Sequence, residues 1–330
     1  MRYCYGFSLI ITLLSVTNNI YTQKRDFSVL FYNTENCFDC FDDTTNNGDD
    51  EYLPSSIKHW TFNRYKDKLN NIAKTIIAAG EWNPPVLIGL CEIENETVMK
   101  QLIAWTGLGN MNYRYIHYES RDRRGIDVAL LYSKDRFDPM ESKPVHIELG
   151  DNRHTRDILL VKGVIDHTDT IFAIVNHWPS RYGGALTSEP SRMSASKTLC
   201  FICDSLRGEN PDAKIIVMGD FNDTPEDKSI HTIVNNDFIN LSHNSKKIEG
   251  TNKYRYQWEL IDQILISGEY YLDLQGMDVK SEFKIIDLPF LLESDPSYLG
   301  VKPYRTYQGP IYKGGFSDHL PVMVTFKYSK

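Results

Sequence analysis

Short apolar runs recur along the whole of this 330-residue chain and restrict its fold more than any other feature. Several of them are apolar on both faces, which is typical of strands that are covered by helices or by a second sheet. We predict strands at residues 27–32, 86–93, 113–118, 127–132, 158–165, 170–176, 214–218, 261–266 and 322–326.

Helical patterns fall between some of these runs. Residues 62–79 carry an apolar stripe with helical spacing that ends at Gly80, and residues 96–105 and 191–206 are similar. Thr224 followed by proline predicts the start of a short helix. Because the chain from 110 to 177 shows no convincing helix, its strands should pair antiparallel. We therefore predict an α/β fold in one domain, with two mixed β-sheets packed face to face and helices outside, a four-layer α/β sandwich.

The N-terminal segment has the composition of an export signal. Arg2 precedes an apolar run at 7–16 that is too short to span a bilayer, and a polar stretch follows up to Gln23. We predict a signal peptide over residues 1–23, a folded domain over 24–330, and a periplasmic or extracellular location. A buried N-terminal strand or a retained anchor is the alternative. No other segment is apolar for long enough to cross a membrane.

The net charge limits the class of partner. The formal net charge is -8, and removal of the signal segment, which contains Arg2 and no acidic residue, makes it one unit more negative. Proteins that clamp long duplex nucleic acid without sequence specificity usually present a basic face. The acidic balance therefore argues against tight duplex binding, while small phosphate esters remain possible ligands.

Six cysteines are present, and two pairs, Cys37/Cys40 and Cys200/Cys203, have Cys-x-x-Cys spacing. This spacing occurs in zinc sites, but the pairs are far apart and the second lies in a helical pattern. A loop disulfide between Cys37 and Cys40 is somewhat favoured over zinc, and the sequence leaves the disulfide state of both pairs open. Cys91 is expected to be a small buried hydrophobic residue in a strand.

Polar residues cluster where the predicted strands end, the usual place for a site that loops carry on a rigid scaffold. One strand runs through Gly219 to Asp220 and Asn222, and a spacing of two places both side chains on one face of an extended chain. A carboxylate beside an amide suits a hard cation, an attacking water or a phosphate oxygen. The alternative is an Asx turn without chemistry.

Acidic and amide residues end two further strands. Glu92 ends the strand at 86–93, and its carboxylate would be costly to bury without a metal or another partner. Glu94 shares its face, and we expect it to cap the helix that follows. Asn33 ends the first strand in the same way.

A histidine, His177, ends the strand at 170–176 beside Asn176, and Arg181 follows on a glycine-rich loop. A lone buried histidine is more often a core residue, but these two neighbours favour a functional one.

The adjacent pair Asp318 and His319 begins the last strand. Its two side chains can divide their roles, with the carboxylate towards a metal and the imidazole towards water. Asp262 lies inside an apolar strand and needs a partner there, for which an imidazole N–H or a salt bridge is suitable.

Taken in order, these elements resemble the endonuclease/exonuclease/phosphatase superfamily, which includes pancreatic deoxyribonuclease, abasic-site endonucleases, sphingomyelinases and inositol-polyphosphate phosphatases. The resemblance runs from about Phe27 to Phe326, and the sequence departs from the simplest family pattern at Gln263. Each motif is weak alone, and the ordered set is specific: Asn33, Glu92, Gly125-Ile126-Asp127, Asn176-His177, Gly219-Asp220-Phe221-Asn222, Ile261-Asp262 and Ser317-Asp318-His319.

The resemblance implies a secreted, bacterial-type, metal-dependent phosphoesterase. The metal is expected to be Mg²⁺, with Mn²⁺ or Ca²⁺ as alternatives, because its ligands are hard oxygens. The implied metal ligands are Glu92, helped by Asn33 and Asp318. The implied catalytic residues are His319 as general base, Asp262 as its orienting partner, Asp220 and Asn222 as positioners of water and phosphate, and His177 as donor to the phosphoryl or leaving oxygen.

Three arginines, Arg124, Arg156 and Arg181, are predicted to contact the substrate together with Asn176, because a guanidinium matches phosphate bidentately. The substrate class stays open between nucleic acid and a small phosphodiester or phosphomonoester. We expect a monomer without a stable membrane span. A catalytically silent protein that binds a phosphate ligand and retains the fold is the alternative, although retention of every chemical position favours an enzyme.

Overall fold

The computed structural model describes residues 25–44, 48–150, 153–242, 250–276 and 279–328. The predicted signal peptide, residues 1–23, lies outside the described residues. Within those ranges no helix is both long enough and apolar enough to span a membrane.

The described chain alternates strands with a few helices. The α-helices are α1 (Phe62–Gly80), α2 (Glu96–Ala104), α3 (Ala185–Glu209), α4 (Lys228–Val234) and α5 (Gly268–Gly276). The strands are β1 (Phe27–Cys37), β2 (Leu87–Ile93), β3 (Tyr113–His117), β4 (Asp127–Ser133), β5 (Phe137–Val145), β6 (Ile158–Ile165), β7 (Asp169–His177), β8 (Lys214–Asp220), β9 (Phe238–Asn240), β10 (Asn252–Tyr254), β11 (Gln257–Glu259), β12 (Asp262–Ser267), β13 (Val279–Ile285), β14 (Leu292–Ser294), β15 (Val301–Pro303), β16 (Tyr307–Gln308), β17 (Ile311–Tyr312) and β18 (Val322–Tyr328).

Two six-stranded mixed sheets form the centre of the molecule. The first has the order β13-β18-β1-β2-β4-β3, and the second has the order β5-β6-β7-β8-β12-β9. The pairs β1/β2 and β7/β8 are parallel, whereas the other neighbours in both sheets are antiparallel. The antiparallel pairing that we predicted between residues 110 and 177 is confirmed by β3/β4, β5/β6 and β6/β7.

The two sheets pack face to face with helices outside. Gly89 of β2 approaches β8 so closely that a Cβ there would lie 2.6 Å from Met218 Sδ. One hydrophobic core joins the two sheets and includes Leu69 of α1. A second core on the other side of β8 includes Leu199 of α3 and Ile230 of α4. The predicted four-layer α/β sandwich is therefore confirmed.

Several element boundaries differ from the sequence predictions. Strand β5 was not predicted, because its sequence contains two prolines and mostly exposed side chains; it is an edge strand, where proline is tolerated. Helix α3 begins before the predicted residue 191 and contains Pro190. Helix α4 begins at Lys228 rather than at Thr224, because both the backbone N–H and the hydroxyl of Thr224 bond Asp227 Oδ2, at 2.7 and 3.0 Å, and form a turn before the helix.

The cysteines carry no disulfide in the described part of the chain, where Cys37, Cys40, Cys91, Cys200 and Cys203 are all free. The Cys37–Cys40 disulfide that the sequence slightly favoured is therefore absent. Cys91 is fully buried in β2, as predicted.

Candidate active site

The predicted site residues meet at one edge of the sandwich, where strands from both sheets end. Strands β1 and β2 end there in the first sheet, and the parallel strands β7 and β8 end there in the second. The contact between the two sheets is direct, since Asn33 Nδ2 donates to Asp220 Oδ2 at 3.0 Å across the layers. The structure thus brings together residues that lie up to 284 positions apart, as in the hydrogen bond from Ser317 Oγ to the carbonyl oxygen of Asn33.

A histidine–aspartate pair, His319 and Asp262, occupies the centre of this edge. His319 Nδ1 lies 2.7 Å from Asp262 Oδ2, and the Asp262 residue has no exposed surface. The backbone N–H of His319 also donates to Ser317 Oγ at 3.1 Å, which holds the main chain that carries the imidazole. Burial alone would lower the pKa of His319, but the charges of Asp262 and Asp220 outweigh it and hold the pKa well above its ordinary value. The two carboxylates therefore favour the protonated imidazole, an effect that a divalent cation beside them would offset and so free His319 to accept a proton.

The second histidine, His177, faces two carboxylates across a gap. Its Nε2 lies 3.7 Å from Asp220 Oδ2 and 3.9 Å from Glu92 Oε1, both too long for a hydrogen bond. Burial, followed by the positive charges around it, lowers the pKa of His177 well below its ordinary value. His177 is therefore neutral and can donate a hydrogen bond to an oxygen placed between it and the carboxylates.

Two site residues adopt a left-handed backbone conformation that is uncommon outside glycine. Glu92 has φ 61°, and its Oε2 accepts the backbone N–H of Asn36 at 2.7 Å. Asn222 has φ 52°, and its backbone N–H donates to Asp220 Oδ1 at 2.9 Å. Such strain is typically retained at functional sites. It also corrects the expectation that Asn222 continues the face of an extended strand: the Asx turn that we weighed as an alternative is present, within the site itself.

Asp318 lies at the border of the site in an ion pair with Arg305, whose Nη2 is 2.9 Å from Asp318 Oδ2. The same guanidinium reaches Glu35 Oε1 through Nε at 3.1 Å. Burial raises the pKa of Asp318, yet the charges of Arg305, His319 and Lys68 outweigh this and lower it. Asp318 is therefore held as a carboxylate.

Lys68, for which no sequence pattern predicted a role, lies beneath this pair. Its ammonium group is almost fully buried and donates to Thr306 Oγ1 at 2.5 Å and to the carbonyl oxygen of Phe316 at 2.7 Å. Burial lowers its pKa. The available signal was its position, because Lys68 falls on the apolar stripe of α1 between Tyr65 and Ile72.

The three predicted substrate arginines differ in their surroundings. The Arg124 side chain is 46% exposed, and its Nη2 contacts Glu92 Oε1 at 3.4 Å. Arg156 is buried, with Nη2 donating to the carbonyl oxygen of Trp178 at 2.5 Å. Arg181 uses its nitrogens on protein acceptors, including Glu259 Oε1 at 2.8 Å. Of the three, Arg124 is therefore the one with donors at the open edge of the site.

One amide residue, Asn176, and one acidic residue, Glu94, have different hydrogen-bond partners from those expected. Asn176 is fully buried, and its Oδ1 accepts the indole N–H of Trp178 at 3.1 Å. Glu94 does not cap α2, as we had expected. The cap is Asn95, whose Oδ1 accepts the backbone N–H of Val98 at 2.9 Å, and Glu94 Oε2 instead accepts the backbone N–H of Asp39 at 2.6 Å.

The donor set of the site suits a hard divalent cation. Asp220, Asp262 and His319 offer ligand atoms within 4.8 Å of one another. In the described part of the chain, Asp262 Oδ1 and His177 Nδ1 are buried without a hydrogen-bond partner. Burial raises the pKa of Asp220 to about 7, a cost that a nearby cation would remove. His319 is engaged by Asp262, so the carboxylate oxygens, one of them unsatisfied, are the atoms left for an ion, and they fit a metal of the Mg²⁺ type.

Comparison with known families agrees with this arrangement. The sequence model of the endonuclease/exonuclease/phosphatase family matches residues 28–328, almost the whole described chain. The chain belongs to this family. Its members are phosphoesterase hydrolases that are generally metal-dependent. The sequence of this chain matches no curated protein.

Solved structures of the same fold include three that cover nearly all of the chain. A family protein from Bacteroides vulgatus is 17% identical over 93% of this chain and 100% of its own, with a TM-score of 0.57. One from Bacteroides thetaiotaomicron is 14% identical over 93% and 99%, with a TM-score of 0.60. The human Nocturnin catalytic domain with a bound sulfate anion is 14% identical over 93% and 96%, with a TM-score of 0.56. At these identities the likeness shows the fold.

Proposed function

We propose that this family member hydrolyses a phosphate ester by in-line attack of a water molecule, with a divalent metal at Glu92. The observation that carries the proposal is the pair His319–Asp262, which joins at 2.7 Å and directs the second imidazole nitrogen towards Asp220 at 3.9 Å. A buried carboxylate that orients a histidine in this way is the arrangement of a general base.

The residues of the chain divide the reaction between them. His319 accepts the proton of the attacking water at Nε2, and Asp262 holds the Nδ1 proton and stabilises the imidazolium that forms. Asp220 and Asn222 position that water and the phosphate. The neutral His177 donates a hydrogen bond to a phosphoryl or leaving oxygen on the opposite side, where charge develops.

We place Mg²⁺ at Glu92, with Mn²⁺ or Ca²⁺ as alternatives. When bound, such an ion offsets the negative charge of the phosphoryl group in an in-line displacement. Asn33 and Asp318 remain proposed helpers. Both already have protein partners, since the Asn33 amide oxygen accepts the backbone N–H of Glu35 at 3.0 Å and Asp318 pairs with Arg305. Glu92 has one oxygen, Oε1, with no partner closer than Arg124 at 3.4 Å, and it is the ligand that we rank first.

Arg124 is the residue that we place against the substrate, because its guanidinium lies half exposed beside Glu92. Most polar atoms of three other predicted contacts, Arg156, Arg181 and Asn176, already have protein partners. We propose that these residues mainly hold the loops of the site, and their contact with substrate stays a prediction. The bound sulfate in the Nocturnin domain, a tetrahedral anion like phosphate, supports a phosphoester substrate here. An exported, monomeric protein remains our proposal.

Replacement of His319 tests this function. The variant His319→Ala should lose turnover of bis(p-nitrophenyl) phosphate with Mg²⁺ by about 10²–10⁴-fold, the usual contribution of a general base. The matched control is His231→Ala, which removes an exposed histidine on α4 and should turn over like the wild type. Near-normal turnover by the His319 variant would refute the assignment. A wild type that binds phosphate esters without hydrolysing any of them would favour the silent binding protein.

A further inference from the structure

A second cluster of metal-binding side chains lies at the two ends of the β3–β4 connection. His117 ends β3, Glu119 follows it, and Asp127 begins β4. One ligand atom from each of the three side chains lies within 4.8 Å of the others. Asp127 Oδ1 accepts the backbone N–H of Ser120 at 2.9 Å, a contact within the same loop. The cluster shares no residue with the pair His319–Asp262.

His117 has an unsatisfied nitrogen that faces this cluster. Its side chain is 1% exposed, and among the described residues its buried Nε2 has no hydrogen-bond partner. Nε2 lies 3.5 Å from Asp127 Oδ2, whereas the His146–Asp157 pair joins at a hydrogen-bonded 2.6 Å. A tetrahedral ion with bonds of about 2.0–2.2 Å separates its ligand atoms by about 3.3–3.6 Å. The spacing of His117 and Asp127 thus suits a shared ion rather than a direct hydrogen bond.

The charges of the cluster also favour a cation. Glu119 lies against Asp127, and burial together with that neighbouring carboxylate raises the pKa of Glu119. A backbone N–H of Glu96, at the start of α2, is a further donor to Glu119. Two adjacent carboxylates beside an unpaired imidazole carry an excess of acceptors, which a divalent ion would satisfy. Because Glu119 is exposed, the cluster is open to solvent on that side.

We propose that His117, Glu119 and Asp127 bind a divalent ion of the zinc type that joins the two ends of the loop at 118–126. One imidazole and two carboxylates match zinc, which binds nitrogen and oxygen ligands, whereas Mg²⁺ and Ca²⁺ prefer oxygen alone. A solvent molecule takes the fourth position. The loop carries Arg124 to its contact with Glu92, so this ion orders the loop that places the arginine at the active site.

Zinc titration by calorimetry tests the site, in a Glu92→Gln background that weakens ion binding at the active site. Adding Glu119→Gln or His117→Gln should remove one equivalent of bound Zn²⁺ or weaken it at least about tenfold, as the loss of a ligand predicts. The matched control is His167→Ala, because His167 also pairs with an aspartate, Asp138 at 3.2 Å, but lies exposed and outside the cluster. This control should titrate like the background protein.

Proteolysis supplies a second readout that does not depend on activity. The loop contains Arg121, Arg123 and Arg124, three sites for trypsin. Zn²⁺ should slow cleavage there in the Glu92→Gln protein and should have no effect once Glu119→Gln is added. Identical titrations and identical cleavage with and without Glu119→Gln would overturn the proposal. Glu119 is exposed, so this variant keeps the fold and decides the outcome even if His117→Gln does not fold.

Discussion

Replacing Asp262 by asparagine is the most informative single change in the active site. The substitution keeps the shape of a fully buried side chain and removes the acceptor that lies 2.7 Å from His319 Nδ1. A hydrogen bond to a charged group contributes about 1.5–3 kcal/mol, and each 1.36 kcal/mol is about tenfold in rate, so lost orientation alone costs about 10–100-fold. The amide also favours the tautomer that protonates Nε2, which removes the general base. We therefore expect kcat to fall by about 10²–10⁴-fold in total.

The assay is steady-state hydrolysis of bis(p-nitrophenyl) phosphate with saturating Mg²⁺, accompanied by circular dichroism to confirm the fold. Asp157→Asn is a matched control, because Asp157 is a buried aspartate that accepts from His146 at 2.6 Å in a pair that we assign no part in the reaction. This control should keep its activity. A kcat for Asp262→Asn within about threefold of the wild type would refute the reasoning, since it would show that His319 needs no oriented tautomer.

Three further changes have defined outcomes. Mg²⁺ at 100 times Kd should increase the free energy of unfolding of the wild type by about 2.7 kcal/mol and so raise its melting temperature. Glu92→Gln should abolish this rise, and an unchanged rise in a thermal-shift assay would contradict the metal assignment. Arg124→Ala should lower kcat/KM by about 10–100-fold through a lost charge-assisted contact, whereas Arg123→Ala, on the same loop, should not. Lys68→Met should cost about 1–3 kcal/mol in urea unfolding, because two buried acceptors lose their donor, and wild-type stability would show that these hydrogen bonds contribute nothing net.

The sequence predicted the layers of the fold because burial on both faces imposes a recognisable pattern. The strand at Ile158–Ile165 and helix α1 have the predicted limits to within one residue. That these candidate residues lie together at one edge could be anticipated for the same reason, since polar groups such as Glu92 and Asp220 stand where apolar strands end. Strand β5 could not be predicted, because an edge strand buries few side chains and so carries no such apolar pattern.

The remaining part of the site depends on contacts between distant segments. Glu35 meets Arg305 across 270 positions, and no local pattern distinguishes either from a surface charge. The left-handed conformation at Glu92 is likewise imposed by a tertiary contact, that with Asn36, whereas Asn222 is a residue type that adopts it in a local turn. Pairing and backbone strain of this kind become visible only when the strands are placed together.

We have proposed that this edge of the sandwich hydrolyses a phosphate ester with a divalent metal. The initial rate of bis(p-nitrophenyl) phosphate hydrolysis by the wild type, measured in EDTA and again after excess Mg²⁺ is added, tests it most directly. We expect no turnover in EDTA and its return with Mg²⁺, because the carboxylates of Glu92, Asp220 and Asp262 converge here and would repel an anionic substrate without a cation. Undiminished turnover in EDTA would contradict it.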